Sequence, residues 1–142
     1  MPVADQIGRM KSLYPGLELV LWRRGLAKWK GWLQPVDFAC AYFISISYRL
    51  QQPPVVHVLE PVLVSNSKGE PVPHRFSDER LCLYYPKYGE WRADMAIAET
   101  IVPWASRWLY YYEVWHATGE WLGGGIEHRP RGSRNLTRAS AL

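Results

Sequence analysis

The middle of the chain shows the two-residue alternation of a β-strand. Between residues 40 and 50 every second side chain is apolar, and the serines and the arginine lie at the positions between them. We expect the apolar side chains to form one buried face: Cys40, Tyr42, Ile44, Ile46, Tyr48 and Leu50. Cys40 is therefore predicted to be a core residue, which is a common place for a free cysteine.

Three further apolar runs predict an antiparallel sheet around this strand. Residues 17–23 and 28–34 predict two strands on either side of a turn at Arg24-Gly25. Residues 55–64 predict the fourth strand, with a break or bulge near Pro61. Four strands in chain order form a meander, which buries one face and therefore requires helices on that side.

Apolar side chains at helical spacing predict one helix before the sheet and one after it. The first is short and ends before Pro15-Gly16. The second is long and aromatic, starts near Asp94 and is capped by Gly119. Pro103 lies within it, so we expect a kink or a new helix start there. The positions that define its buried face are Ile97, Ile101, Trp104, Trp108, Tyr112 and Trp115.

The order of these elements predicts an α+β fold. An N-terminal helix is followed by a four-stranded antiparallel meander, an irregular segment that contains Cys82, and a long C-terminal helix. A chain of 142 residues is long enough for one domain with a proper core, which we expect at residues 1–128. Residues 129–142 contain several arginines and few apolar side chains, which predicts a basic, flexible tail.

Composition narrows the possible functions. Hydrophobic residues make up 48% of the chain, which is typical of a globular protein, and a net charge of +4 does not by itself indicate a nucleic-acid partner. The 2 cysteines form no disulfide scaffold and have no zinc-ligand spacing. The chain shows no secretory leader and no apolar run of about 20 residues, so we expect a cytoplasmic protein without a membrane partner.

Cys82 is the candidate nucleophile. It lies between Leu81 and Leu83, and a polar run that contains Arg75 and Arg80 precedes it. The leucines are compatible with a buried structural cysteine, whereas a surface segment with nearby cations favours a reactive thiolate. The residues alone leave both interpretations open.

Other polar side chains are candidates to assist chemistry at the thiol. His74 either orients the loop or is an exposed loop histidine. Asp78 and Glu79 would help to deprotonate an incoming amine if they lay within hydrogen-bond reach, although loop carboxylates are commonly only solvated. Glu127 and His128 follow a glycine run and would join the site if the chain folded back toward the thiol.

The local sequence around the cysteine resembles the ubiquitin-conjugating (E2) family. Members of this family have a Pro-Pro-x-Val segment, then a histidine in a loop, and then a cysteine between aliphatic residues. The matching positions here are Pro53-Pro54-Val55-Val56, His74 and Leu81-Cys82-Leu83. Trp91, the aromatic helix and residues 118–125 are similar to the divergent bacterial E2-like proteins, so the resemblance covers residues 3–128.

The resemblance implies a cysteine transferase. Cys82 would accept the C-terminal carboxyl of a ubiquitin-like or otherwise activated protein as a thioester and pass it to a target amine, while His74 orients the loop. The chain carries no nucleotide-binding signature, so an E1-like protein would supply the activation, or the substrate would arrive already activated. Bacterial E2-like proteins of this kind occur in antiphage (CBASS-type) operons, beside a cyclic-oligonucleotide synthase that is a second candidate for the conjugated protein.

The chain also departs from the family pattern. E2 proteins have His-Pro-Asn, whose asparagine assists transfer, whereas this chain has His74-Arg75-Phe76 and a shorter interval before Cys82. A catalytically inactive E2-like binding module is therefore the alternative, although inactive variants normally lack the cysteine. A nucleic-acid binder, whose affinity would fall steeply with salt, is a third possibility that the core spacing of the aromatic residues argues against.

Overall fold

The computed structural model describes residues 1–83 and 91–123 of the chain. An N-terminal helix, a four-stranded antiparallel sheet and a C-terminal helix follow one another, which confirms the predicted α+β fold. The elements are α1 (Val3–Leu13), β1 (Glu18–Arg23), β2 (Leu26–Leu33), β3 (Tyr42–Arg49), β4 (Val55–Glu60), a short 3-10 helix (Ile97–Glu99) and α2 (Ile101–Thr118).

The sheet is a meander in which the strands lie in chain order. β3 lies between β2 and β4, and its alternation agrees with the sequence because every second side chain joins the core with the buried residues of α2. These core residues of β3 are Tyr42, Ile44, Ile46 and Tyr48. Leu50, which was expected on the same face, lies beyond the end of the strand and is 40% exposed. β1 is an edge strand, and its pairing with β2 shifts between Leu19 and Leu21, which marks a bulge.

Cys40 lies outside the sheet, so its prediction as a core residue is wrong. β3 begins at Tyr42, and Cys40 is exposed. The side-chain amide of Gln34 holds the chain in a turn before the strand, donating to the carbonyls of Asp37 and Ala39 at 2.9 and 2.7 Å. Those carbonyls accept hydrogen bonds from a local side chain instead of from a neighbouring strand. The alternation of apolar residues does not show that a side chain will take the place of a strand partner.

β4 ends earlier than predicted. The strand stops at Glu60 instead of residue 64, and a cis peptide joins Glu60 to Pro61. Proline has no N–H to donate to a ladder, so the predicted break at this residue is confirmed. Beyond it, the N–H of Val64 donates to the hydroxyl of Tyr112 at 3.0 Å, which ties the end of this segment to α2.

α2 is a new helix that starts close to Pro103, which is one of the two predicted alternatives. It begins at Ile101, so Pro103 lies in the first turn, where a backbone N–H has no partner within the helix. The predicted helical start near Asp94 is wrong, because the 3-10 helix occupies residues 97–99 instead.

The buried face of α2 agrees with the aromatic spacing except at Trp104, which is only half-buried. The predicted positions that are buried are Ile101, Trp108, Tyr112 and Trp115. Gly119 caps the helix as predicted, with a φ of +84° and an N–H that donates to the Trp115 carbonyl at 2.7 Å. In residues 1–83 and 91–123, no helix is both long and apolar enough to cross a membrane.

A buried side chain joins α1 to the segment that leads into α2. Gln6 is fully buried, and its amide nitrogen donates to the carbonyl of Met95 at 2.8 Å. Its side-chain oxygen accepts the N–H of Ile97, also at 2.8 Å. A buried amide with partners on both sides fixes the 3-10 helix against α1 and so fixes where α2 begins.

Alanine in place of Gly31 is expected to destabilise the protein. A Cβ atom at Gly31 would lie 2.5 Å from the carbonyl oxygen of Gly16 and 2.7 Å from Leu17 Cδ2. Because backbone must move to relieve this overlap, we expect Gly31→Ala to lower the free energy of unfolding by about 1–3 kcal/mol in urea denaturation. The control is Gly8→Ala in α1, where nothing lies within 4 Å of the added atom. That change should raise stability by about 0.5–1 kcal/mol, and equal effects at the two positions would contradict the expected packing.

Candidate active site

A small hairpin precedes Cys82 and determines where this residue lies. Arg75 and Leu81 form an antiparallel bridge that closes the hairpin. Inside it, the N–H of Phe76 donates to the carbonyl of Arg80 at 2.9 Å. The residues before the candidate nucleophile therefore form a closed turn of defined shape.

Leu81 docks this hairpin on the edge of the sheet. Its N–H donates to the carbonyl of Val56 in β4 at 3.0 Å, and only 5% of its surface is exposed. The tip of the hairpin makes a second contact with the same strand, because His57 Nε2 lies 3.2 Å from the carbonyl oxygen of Asp78. Leu81 thus serves as the apolar anchor of the segment that carries the cysteine.

Cys82 is half-buried, and its backbone is fixed. Its N–H donates to the carbonyl of His74 at 3.0 Å. The residue is partly exposed, which favours the surface segment over the buried structural cysteine, the two interpretations that the sequence left open. The buried side chain of this segment is its neighbour Leu81, so the cysteine lies at the surface beside the edge of β4.

His74 is a buried residue and not an exposed loop histidine. It is only 3% exposed, and its carbonyl accepts both the N–H of Cys82 and the indole N–H of Trp108, each at 3.0 Å. Its φ of +53° lies in the left-handed region, which histidine adopts more readily than most residues. This geometry favours the interpretation in which His74 orients the loop, since its main-chain carbonyl binds the N–H of Cys82.

Asp78 is an exposed carboxylate that is bound to Arg80. The side-chain Nε of Arg80 lies 2.9 Å from Asp78 Oδ2, and the Arg80 backbone N–H donates to Oδ1 at 3.2 Å. The side-chain hydrogen bond from Arg80 lowers the pKa of Asp78 below its usual value. The guanidinium also lies over the ring of Phe76, 4.4 Å from the ring centroid, so Arg80 is engaged within the hairpin.

The remaining candidates are Glu79, Glu127 and His128. Glu79 is exposed, has a φ of +71° and donates its N–H to the Phe76 carbonyl at 2.8 Å, so it shapes the turn. Glu127, His128 and the predicted tail at residues 129–142 lie outside the described residues. Where the structure describes the chain, no group of three or more His, Cys, Asp or Glu side chains is placed to hold a metal ion.

Two tryptophans complete the surroundings of His74, and the sequence did not assign them to the site. The ring centroid of Trp121 lies 4.9 Å from that of His74, 5.2 Å from that of Trp108 and 5.9 Å from that of Tyr111. The sequence feature that could have predicted this contact is Gly119. A left-handed residue after α2 lets the chain reverse its direction and return toward the helix. Sequence alone indicates the reversal and not which residue the returning ring will meet.

Comparison with known families identifies the family to which the chain belongs. A family model described as "Type II CBASS E2 protein" matches residues 6–129, a range that includes the whole sheet, the hairpin, Cys82 and Trp121. No curated protein matches the chain. Because the match extends over most of the chain, which also has the expected order of helix, meander and helix, this chain belongs to the family of Type II CBASS E2 proteins.

Proposed function

We propose that this protein is an E2-like acyl-transfer enzyme in which Cys82 is the acceptor. Family membership supports an E2-like role in antiphage systems. The observation that carries the proposal is the placement of Cys82, which is half-buried and bound through its N–H to the His74 carbonyl, while Leu81 anchors the segment in the core. An acceptor thiol needs both access for its substrate and a fixed position, and the partial exposure of Cys82 and its hydrogen bond to His74 support this role.

In the first proposed step, a thioester forms. The thiolate of Cys82 attacks the carbonyl carbon of an activated C-terminal carboxyl, a C–S bond forms, and the activating group leaves with its bonding electrons. An E1-like protein that uses ATP supplies the activated carboxyl, or the donor arrives already activated. The proposed donor is a ubiquitin-like protein or a cyclic-oligonucleotide synthase of an antiphage operon.

In the second proposed step, the acyl group passes to an amine. The nitrogen attacks the thioester carbonyl, a C–N bond forms, Cys82 leaves as a thiolate, and the proton lost from nitrogen passes to water or a base. For Asp78 we propose an electrostatic part in this step. Its exposed carboxylate has a lowered pKa and therefore stays ionised, so it attracts an approaching ammonium group but is a poor proton acceptor.

The thioester is tested by intact-mass measurement after incubation with an acyl donor. Two donors are used: the E1-like protein of the same operon with ATP and its substrate, and a synthetic peptide thioester that ends in glycine. We expect the wild-type protein to gain an adduct that dithiothreitol removes. Cys82→Ser should retain a reductant-stable oxyester because its hydroxyl forms an ester in place of a thioester, and Cys82→Ala should gain none.

Cys40→Ser is the matched control, because Cys40 is the other cysteine of the chain and is exposed. It should form the adduct as the wild type does. An adduct that follows Cys40 instead of Cys82 would show a non-specific reaction of an accessible thiol. If no adduct forms with either donor while the protein still binds the E1-like protein, the inactive binding module becomes the better interpretation.

The ionisation of Asp78 is expected to depend on Arg80. In carbon-detected NMR, the side-chain carboxyl of Asp78 should titrate below its usual pKa of 3.8, and Arg80→Gln should move the midpoint upward. Since the folded-state pKa is the lower one, any stabilisation from this pair is present above the unfolded pKa and is lost as the pH falls through the folded value. Arg92→Gln, which breaks the exposed pair with Asp94 at 3.2 Å, should leave the Asp78 titration unchanged. If the titration midpoint of Asp78 were the same in Arg80→Gln as in the wild type, the hydrogen bond from Arg80 would not be the cause of the lowered pKa.

A further inference from the structure

The chain that leaves α2 turns back and covers the histidine next to Cys82. Gly119 reverses the chain direction with a φ of +84°, and Trp121 follows with only 7% of its surface exposed. Its indole packs on the imidazole of His74 with ring centroids 4.9 Å apart and an interplanar angle of 36°. Residues that follow the last helix therefore reach the segment of the candidate nucleophile.

The contact continues past Trp121 along the surface of α2. A Cβ atom at Gly123 would overlap the ring of Tyr111, so any larger residue at this position would force the ring to move. Tyr111 also packs edge-on against Trp121, with ring centroids 5.9 Å apart. Trp121 and Gly123 therefore both lie against Tyr111, which holds the short returning segment, residues 119–123, on the helix.

The residue that Trp121 covers has an unusual backbone. The φ of +53° at His74 is a conformation that few residues other than glycine adopt, and contacts of the side chain help to keep it. This conformation lets one carbonyl accept the N–H of Cys82 and the indole N–H of Trp108, both at 3.0 Å. A ring packed on the imidazole restricts its movement and thereby stabilises the backbone to which it is attached.

We propose that Trp121 is a positioning residue for Cys82 and that it acts through His74. The indole holds the imidazole, the imidazole keeps His74 in the left-handed conformation, and the His74 carbonyl fixes the backbone of Cys82. The inference rests on the proposed function in taking Cys82 as the acceptor. The packing that it describes does not depend on any acyl donor.

The test compares two thiols in one molecule. Cys40 is exposed and lies outside the sheet, so its alkylation rate is an internal reference for that of the half-buried Cys82. The ratio of the two rates is measured with iodoacetamide across a pH series by peptide mass spectrometry. Removal of the ring in Trp121→Ala should loosen the segment and raise the Cys82-to-Cys40 ratio by about three-fold or more. If the alanine variant does not fold, Trp121→Leu is measured instead, and the same rise in the ratio is expected.

Three further variants separate positioning from general destabilisation. Trp121→Phe keeps a ring on the imidazole and should return the ratio close to the wild-type value. Gly31→Ala strains β2, which β3 separates from the strand that binds the hairpin, and should leave the ratio unchanged. His74→Asn removes the aromatic ring while asparagine tolerates the left-handed region, so adding Trp121→Ala to it should have little further effect.

A ratio that stays at the wild-type value in Trp121→Ala and Trp121→Leu would overturn the inference. So would effects of Trp121→Ala and His74→Asn that simply multiply in the double variant, because Trp121 would then not act through His74. Alkylation needs no acyl donor, so this outcome is independent of the thioester test. A changed ratio without any adduct would leave Trp121 as a positioning residue and remove the proposed transfer.

Discussion

One carbonyl oxygen, that of His74, couples the cysteine segment to the last helix. It accepts the N–H of Cys82 and the indole N–H of Trp108, and it can serve both donors while His74 keeps a left-handed backbone. The indole N–H of Trp108 is buried, and a buried donor that loses its acceptor costs about 1–3 kcal/mol, so this hydrogen bond is not released easily. The place of the candidate nucleophile therefore depends on the packing of the core as well as on the loop that carries it.

The sequence predicts most of the sheet because alternation and burial coincide there. In β3 every second residue from Tyr42 to Tyr48 is buried, as the pattern requires. The pattern fails at Cys40, where the amide of Gln34 holds the preceding turn and the strand has not yet begun. At the site, sequence alone provides Cys82 and His74 as candidates but not the burial of His74, since that depends on rings from distant parts of the chain.

The residues that depart from the common E2 pattern form part of the hairpin. The interval between His74 and Cys82 is short, and it is used for a closed turn whose polar groups bind each other. Arg75 bridges to Leu81, and Phe76 lies beneath the guanidinium of Arg80. Arg75 and Phe76 thus support the shape of the loop.

The two edges of the sheet are each interrupted, which limits how another polypeptide can join it. Leu81 already occupies the Val56 carbonyl on the edge of β4, and the shift between Leu19 and Leu21 breaks the regular spacing of β1. A peptide that extends a sheet by strand addition needs a continuous row of unpaired N–H and C=O groups. A peptide that joined the sheet as a fifth strand would therefore have to displace Leu81 from β4 or pair with the irregular edge of β1.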